Sequence, residues 1–247
     1  MSTVARPKQA HPTNADPGGK GVLDYLRPFM TTTVGSKFLV ALTGLALTGF
    51  VIGHLVGNLK IFGGPDAINS YAQFLKDLGP LLWVVRFGLL AVFVTHVLLV
   101  LKLKKRSADA RPIGYAYPAT VQASAPSRYM LLTGLLILTF LLFHLAHFTF
   151  GWIENVDYHD SKGRHDVYTM VVKGFSNPLI VGLYVVSQVV LFFHLIHGFQ
   201  SAFQTLGANS PRFQRLFRQI GLVIATFLLL GNVGIPVYIL AGGIVLP

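Results

Sequence analysis

Five long apolar runs, separated by short polar stretches, set the pattern of this chain. They cover residues 37–58, 81–101, 129–150, 178–203 and 220–240, each near the roughly 20 residues that a helix needs to cross a bilayer. The stretches between them carry Pro, Gly, Asn and Asp, the residues that punctuate helices. Backbone N–H and C=O groups in lipid must be satisfied within the segment, so the runs are expected to be helices rather than open strands. The expected fold class is therefore an all-α integral membrane protein, a bundle of five transmembrane helices over residues 36–247. Residues 1–35 are polar and rich in Pro and Gly. They lack the charged start, short apolar core and small-residue cleavage site of a signal peptide, so they are expected to remain as an N-terminal tail and interfacial segment.

Composition supports lipid as the solvent. Of 247 residues, 53% are hydrophobic and 12% charged, about half the charged share of a soluble domain. There is no cysteine, which excludes disulfides, thiolate zinc sites, Fe–S ligation and thioether-attached haem in this chain. A redox group here must hang on His, Met or Tyr, or belong to another subunit.

The net charge of +11 raises nucleic acid as a partner, but the charges flank the apolar runs as membrane topology requires, and no nucleic acid is expected. On the side of the N-terminus lie fourteen Lys and Arg residues against three acids, while the opposite loops carry five cations and six acids. Arg86 stands inside a run. The positive-inside rule then predicts a cytoplasmic N-terminus, an external C-terminus and a multi-pass protein of the cytoplasmic membrane.

Six of nine histidines fall within the runs: His54, His96, His144, His147, His194 and His197. Ionisable side chains in membrane helices are costly and mark functional sites. A lone one often does no more than hydrogen-bond a neighbouring helix, but six on four helices point to shared ligation. Depth sorts them. With alternating helix directions, His54 and His144 fall near one side of the membrane and His96 and His194 nearer the other, with roughly 10–16 Å between the levels at 1.5 Å per residue. Zinc wants three or four protein ligands; paired imidazoles at two levels suit two bis-histidine haem b groups better. Glycines 44, 49, 53, 57, 134, 182 and 198 would admit a flat macrocycle, or equally a close-packed helix.

The segments around these histidines resemble a known family. ALTGLALTGFVIGHLVGNLKIFGG around His54, VTHVLLVLK around His96, TGLLILTFLLFHLAHF around His144 and FFHLIHGFQSAFQTLG around His194 are similar to the five-helix, di-haem cytochrome b anchor subunits of succinate dehydrogenases and fumarate reductases. The resemblance covers about residues 30–240. It implies that His54 and His144 hold the distal haem iron and that His96 and His194 hold the proximal one. His147 and His197 follow a ligand by three residues, about 60° round the same helix, and are open to bonding a propionate, lining a quinone pocket or exchanging roles with that ligand.

The resemblance further implies a flavoprotein subunit and an Fe–S subunit on the cytoplasmic face, with room for a higher oligomer of the complex. Electrons would pass through the two haems between the Fe–S subunit and a membrane quinone (menaquinone or ubiquinone), linking the tricarboxylic acid cycle to the respiratory chain. For the quinone, the loop INSYAQFLKDLG offers Asp77, with Lys76 almost equally placed and Tyr71 nearby. Arg86 is placed for a distal propionate or for snorkelling to the interface. Ser36, Lys37 and Arg128 sit at inner helix ends, where they would serve proximal propionates, contact the Fe–S subunit or anchor the interface. Two alternatives share these residues: the di-haem anchor of another quinone-linked dehydrogenase, and a haem-free transporter or scaffold. The absence of Asp and Glu from the runs weighs against a proton-coupled transporter.

Overall fold

The structure is a computed structural model, describing residues 28–110 and 125–246, without the side chains of residues 125 and 126. The expected tail falls largely outside these residues. Among the described residues, the helices from Thr33 onward are, in chain order, α1 (Thr33–Asn58), α2 (Pro65–Asp77), α3 (Pro80–Asp109), α4 (Ala125–Arg128), α5 (Met130–Phe148), α6 (Val167–Gly174), α7 (Pro178–Thr205) and α8 (Pro211–Leu240). A 3₁₀ turn (Leu59–Gly63) extends α1. Five of these helices (α1, α3, α5, α7 and α8) are long and apolar enough to cross a membrane. Among the described residues there is no sheet, only an isolated antiparallel bridge between His159 and His165.

Local chemistry sets the helix starts. Proline occupies the first turn of α2, α3, α7 and α8, where its missing N–H costs nothing. Thr32, Asp166, Asn177 and Ser210 cap α1, α6, α7 and α8 by accepting from the backbone N–H of Gly35, Thr169, Leu179 and Phe213, satisfying donors that a helix start leaves free. The chain reverses from α2 into α3 at Gly79, whose φ of 54° suits a residue without a Cβ.

Three spans are longer than hydropathy predicts. α1 begins at Thr33 rather than residue 37, α3 runs on to Asp109 rather than 101, and α8 starts at Pro211 rather than 220. The extra turns of α3 and α8 carry Lys102, Lys104, Lys105, Arg106, Arg212, Arg215 and Arg218, on the side where Lys37 opens the apolar run of α1. A helix does not end where its side chains turn polar; only the apolar stretch does. The end of the bundle bearing these cations is the basic end. The other, which carries α2 and α6, is the cap end.

α7 packs along α8, α1 lies against both α3 and α7, and α5 packs against α7. The fully buried side chains cluster towards the cap end, with Leu55, Ile61, Tyr168, Phe175, Tyr184, Leu228 and Ile235 among them. Along the spans, large apolar groups such as Leu179, Val223, Val84 and Leu230 remain exposed, and α3 buries no residue at all. That is the surface of a protein whose solvent is hydrocarbon.

Two elements correct the sequence expectation. The segments read as outer loops contain the helices α2 and α6, both short and amphipathic. A polar network joins them. The amide of Asn69, 1% exposed, donates to Asp166 at 2.9 Å and accepts from the Tyr168 N–H at 3.0 Å. Arg164 bridges Asp160 and Asp66, both at 2.7 Å, and Lys162 reaches Asp66 at 2.7 Å. Hydrogen bonds and charge from Lys162 and Arg164 lower the Asp66 pKa. Burial alone would raise that of Asp160, but bonds from the Arg164 side chain and from backbone N–H groups of Arg164 and Lys162 outweigh it and hold the group at about 2.

Candidate functional site

The histidines predicted to act together are brought together in two pairs. At the cap end, the rings of His54 on α1 and His144 on α5 lie 5.8 Å apart, centre to centre, with planes at 87°. Two imidazoles sharing one metal ion through bonds of about 2 Å would stand roughly 6 Å apart, so the spacing leaves room for one ion between them. Nearer the basic end, His96 on α3 seats against Gly44 of α1 and His194 on α7 seats against Gly134 of α5. Each pair joins the α1–α3 half of the bundle to the α5–α7 half.

Hydroxyls orient three of these four rings. Thr43 Oγ1 lies 3.0 Å from His96 Nδ1 and Thr133 Oγ1 lies 3.1 Å from His194 Nδ1. Tyr184, 5% exposed, sets its phenol oxygen 3.1 Å from His144 Nδ1 and 3.0 Å from His147 Nδ1. A glycine adjoins each threonine. A Cβ on Gly44 would sit 3.2 Å from His96 Cε1, and one on Gly134 would sit 3.5 Å from His194 Cε1. These glycines let the imidazoles approach the helix backbone. Gly49, Gly53 and Gly182 face open space, with nothing near the place of a Cβ.

His147 takes a different position from His144. It is fully buried, its ring centre 3.9 Å from that of Phe148 with the planes tilted by 31°. Its Nε2 has no hydrogen-bond partner and faces Gly174 of α6, whose Cβ would be 3.0 Å away. Of the two, His144 is the one set against His54. His147 supports it through the shared Tyr184 hydroxyl. His197 is half-buried and within electrostatic reach of His194.

The remaining predicted residues are scattered. Asp77 and Lys76 are exposed in the last turn of α2, where Asp77 accepts from Gln73 of the same helix at 2.7 Å. Tyr71 packs on Gly57, one turn beyond His54 on α1, and lies under the Lys60 ammonium at 5.3 Å. Arg86 is exposed over the Trp83 ring at 5.0 Å. Lys37 is exposed, and Arg128 stacks over Tyr129 at 6.0 Å. Ser36 is completely buried, its hydroxyl without a partner.

Sequence reasoning passed over Thr43, Thr133 and Tyr184, although a signal for the threonines was present. Leu-Thr-Gly-Leu occurs twice, at 42–45 and 132–135, and in each copy a histidine follows the threonine by eleven residues, His54 and His144. Eleven residues are close to three helical turns, so threonine and histidine share a stripe. On the second helix of each half the position ten residues before the histidine differs: Arg86 precedes His96, and Tyr184 precedes His194.

Among the described residues no cluster of three or more His, Asp or Glu side chains is placed to hold a metal ion. A pair of imidazoles offers two donors, fewer than a zinc ion held by protein alone takes. No family model, curated protein or solved structure matches the chain.

Proposed function

We propose that this chain is the membrane anchor and electron-transfer cytochrome b subunit of a succinate dehydrogenase or fumarate reductase, carrying two haem b groups. The observation that carries the reading is the pairing of four imidazoles from four spans at two levels of one bundle. Haem bound at each level supplies one-electron carriage across the apolar layer. His54 and His144 would hold one haem at the cap end, and His96 and His194 the other at the basic end. Their Nδ1 atoms, where bonded to Thr43, Thr133 and Tyr184, leave Nε2 for iron. The open faces of Gly49, Gly53 and Gly182 give a flat ring room on α1 and α7, while the buried apolar cluster around Leu55 and Leu228 excludes water.

The motif resemblance around the four histidines supplies the rest of the reading. The flavoprotein and Fe–S subunits dock on the basic end, which faces the cytoplasm by the charge rule, and quinone reacts in the membrane near the cap-end haem. Asp77 and Lys76 have no contact with the histidine pairs to commend them over Tyr71, which packs beside the helix that bears His54. Lys37 and Arg128, exposed at the basic end, are available to polar groups there, whereas the Ser36 hydroxyl is enclosed within the bundle.

The test is a pyridine haemochrome assay on the complex purified from its native membrane through this chain. Two haems b per copy are expected, together with a covalently flavinylated partner. His54→Ala and His96→Ala should each remove one haem. A preparation with no haem, or both variants retaining two, would overturn the assignment; haem with a different dehydrogenase partner would keep the cytochrome and reject the succinate link.

A further inference from the structure

We infer that Thr43 and Thr133 are positioning residues, which fix the tautomer and ring plane of His96 and His194 from the helix opposite. The inference rests on the haem-binding reading above and assigns a role to two residues outside the ligand set.

The count of protons on each hydroxyl fixes which partner donates. A threonine hydroxyl carries a single proton. In Thr43 it is already donated to a backbone carbonyl one turn back, Leu39 O at 2.7 Å, with Val40 O at 3.1 Å. The hydroxyl oxygen can then meet His96 Nδ1 only as an acceptor, so that nitrogen must carry the ring proton. Neutral imidazole has one N–H, and Nε2 is left with a bare lone pair. The same holds at Thr133, whose hydroxyl donates to Tyr129 O or Met130 O, each at 3.1 Å, while its oxygen faces His194 Nδ1. The adjacent glycine completes the device. With no Cβ at Gly44 or Gly134, the imidazole Cε1 seats against the helix, so the ring is held by a bond on one edge and by backbone on the next.

The repeat shows that this is one construction used twice. Helices α1 and α5 each carry an orienting Thr-Gly for the basic-end level and, three turns on, a ligand for the cap-end level. The copies diverge on the partner helices, where Tyr184 in the second half answers to Arg86 in the first. Tyr184 bonds His144, whereas Arg86 stacks on Trp83. The basic-end pair is thus buttressed on both rings by hydroxyls already tied to backbone, and the cap-end pair on one ring by a phenol shared with His147.

A ligand N–H that donates to an acceptor makes the imidazole more basic and favours ferric iron, so loss of the acceptor should raise the midpoint potential. The experiment is a redox titration of the haem absorption in native membranes, comparing wild type, Thr133→Val (the same shape without the hydroxyl), Thr133→Ser and Thr43→Val, with Thr139→Val as a control for a threonine bonded only to its own helix at Leu135 O. In Thr133→Val the ferric-to-ferrous ratio of one haem at fixed ambient potential should fall about tenfold, an upward shift of about 59 mV for one electron. The other haem should be unmoved, Thr133→Ser should restore the wild-type value, and Thr139→Val should match wild type. Thr43→Val should shift the same haem in the same direction. Should Thr133→Val fail to insert, Thr43→Val against Thr43→Ser gives the same reading on the other ring. Haem present in wild type with potentials unchanged in both valine variants, or shifted equally in Thr139→Val, overturns the inference. Wild-type membranes without haem overturn the underlying reading instead.

Discussion

Replacing Tyr184 by phenylalanine removes one oxygen from a buried cluster of aromatic rings. The ring itself stays, in edge-to-face contact with Phe140 at 5.0 Å and Phe175 at 4.8 Å, so little packing is lost. What disappears is the partner of two imidazole nitrogens. His144 Nδ1 loses its hydroxyl, and His147, whose Nε2 is already without a partner, is left with neither nitrogen satisfied. A buried group left unpaired costs about 1–3 kcal/mol, whereas interhelical hydrogen bonds in membranes average only about 0.6 kcal/mol because the unfolded chain finds other partners. Two orphaned atoms at a fully buried site fall between these limits, near 2–3 kcal/mol in total. For a domain of this size that is a drop of roughly 4–12 °C in apparent Tm, read by thermal unfolding in detergent. Tyr168→Phe is the matched control: its hydroxyl donates to one carbonyl, Val245 O at 3.0 Å, close to the chain end, and its loss should cost about 1 kcal/mol or less. If Tyr184→Phe were no less stable than Tyr168→Phe, the shared phenol would have no part in holding His144 and His147.

Other expectations follow from the same geometry. Asp160 is held at about 2 in the folded protein against an ordinary value near 4. The stability it lends the cap is therefore complete above about pH 4 and lost as the pH falls towards 2. Hydrogen exchange at residues 160–170 should accelerate across that window, and opening that begins above pH 5 would contradict the network. An alanine at Gly57 would place its Cβ 2.6 Å from Tyr71 Cε1, so Gly57→Ala should cost about 1–3 kcal/mol by overpacking. Adding Tyr71→Ala should recover part of that loss, and strictly additive effects would show that the clash is not its source. With haem bound, ligand planes near 87° at the cap end keep two iron d orbitals close in energy, so one ferric low-spin EPR signal should be strongly anisotropic. Two ordinary rhombic signals would mean that the rings turn on binding.

The sequence by itself determined the five spans and the sorting of histidines by depth. Both depend on one-dimensional quantities: apolar length against bilayer thickness, and position along helices of alternating direction. It also held the Leu-Thr-Gly-Leu repeat, although nothing along the chain tells what a threonine on a helix face will meet. Where the apolar stretch ends was legible; where the helix ends was not, because α1 begins in a short turn at Thr33 and α3 and α8 continue into charged turns, whose backbone bonds need no lipid.

Only the tertiary structure decided which of His144 and His147 faces His54. The two lie three residues apart, and the rotation of α5 against α1 and α7 chooses between them. It alone assigned Tyr184 to both, and turned the segments read as loops into a cap tied by Asn69 and Arg164, whose partners lie more than ninety residues away. Spans and depth follow from each residue's own affinity for lipid, whereas partners follow from how helices rotate and lean on one another, which is settled only when the whole bundle packs.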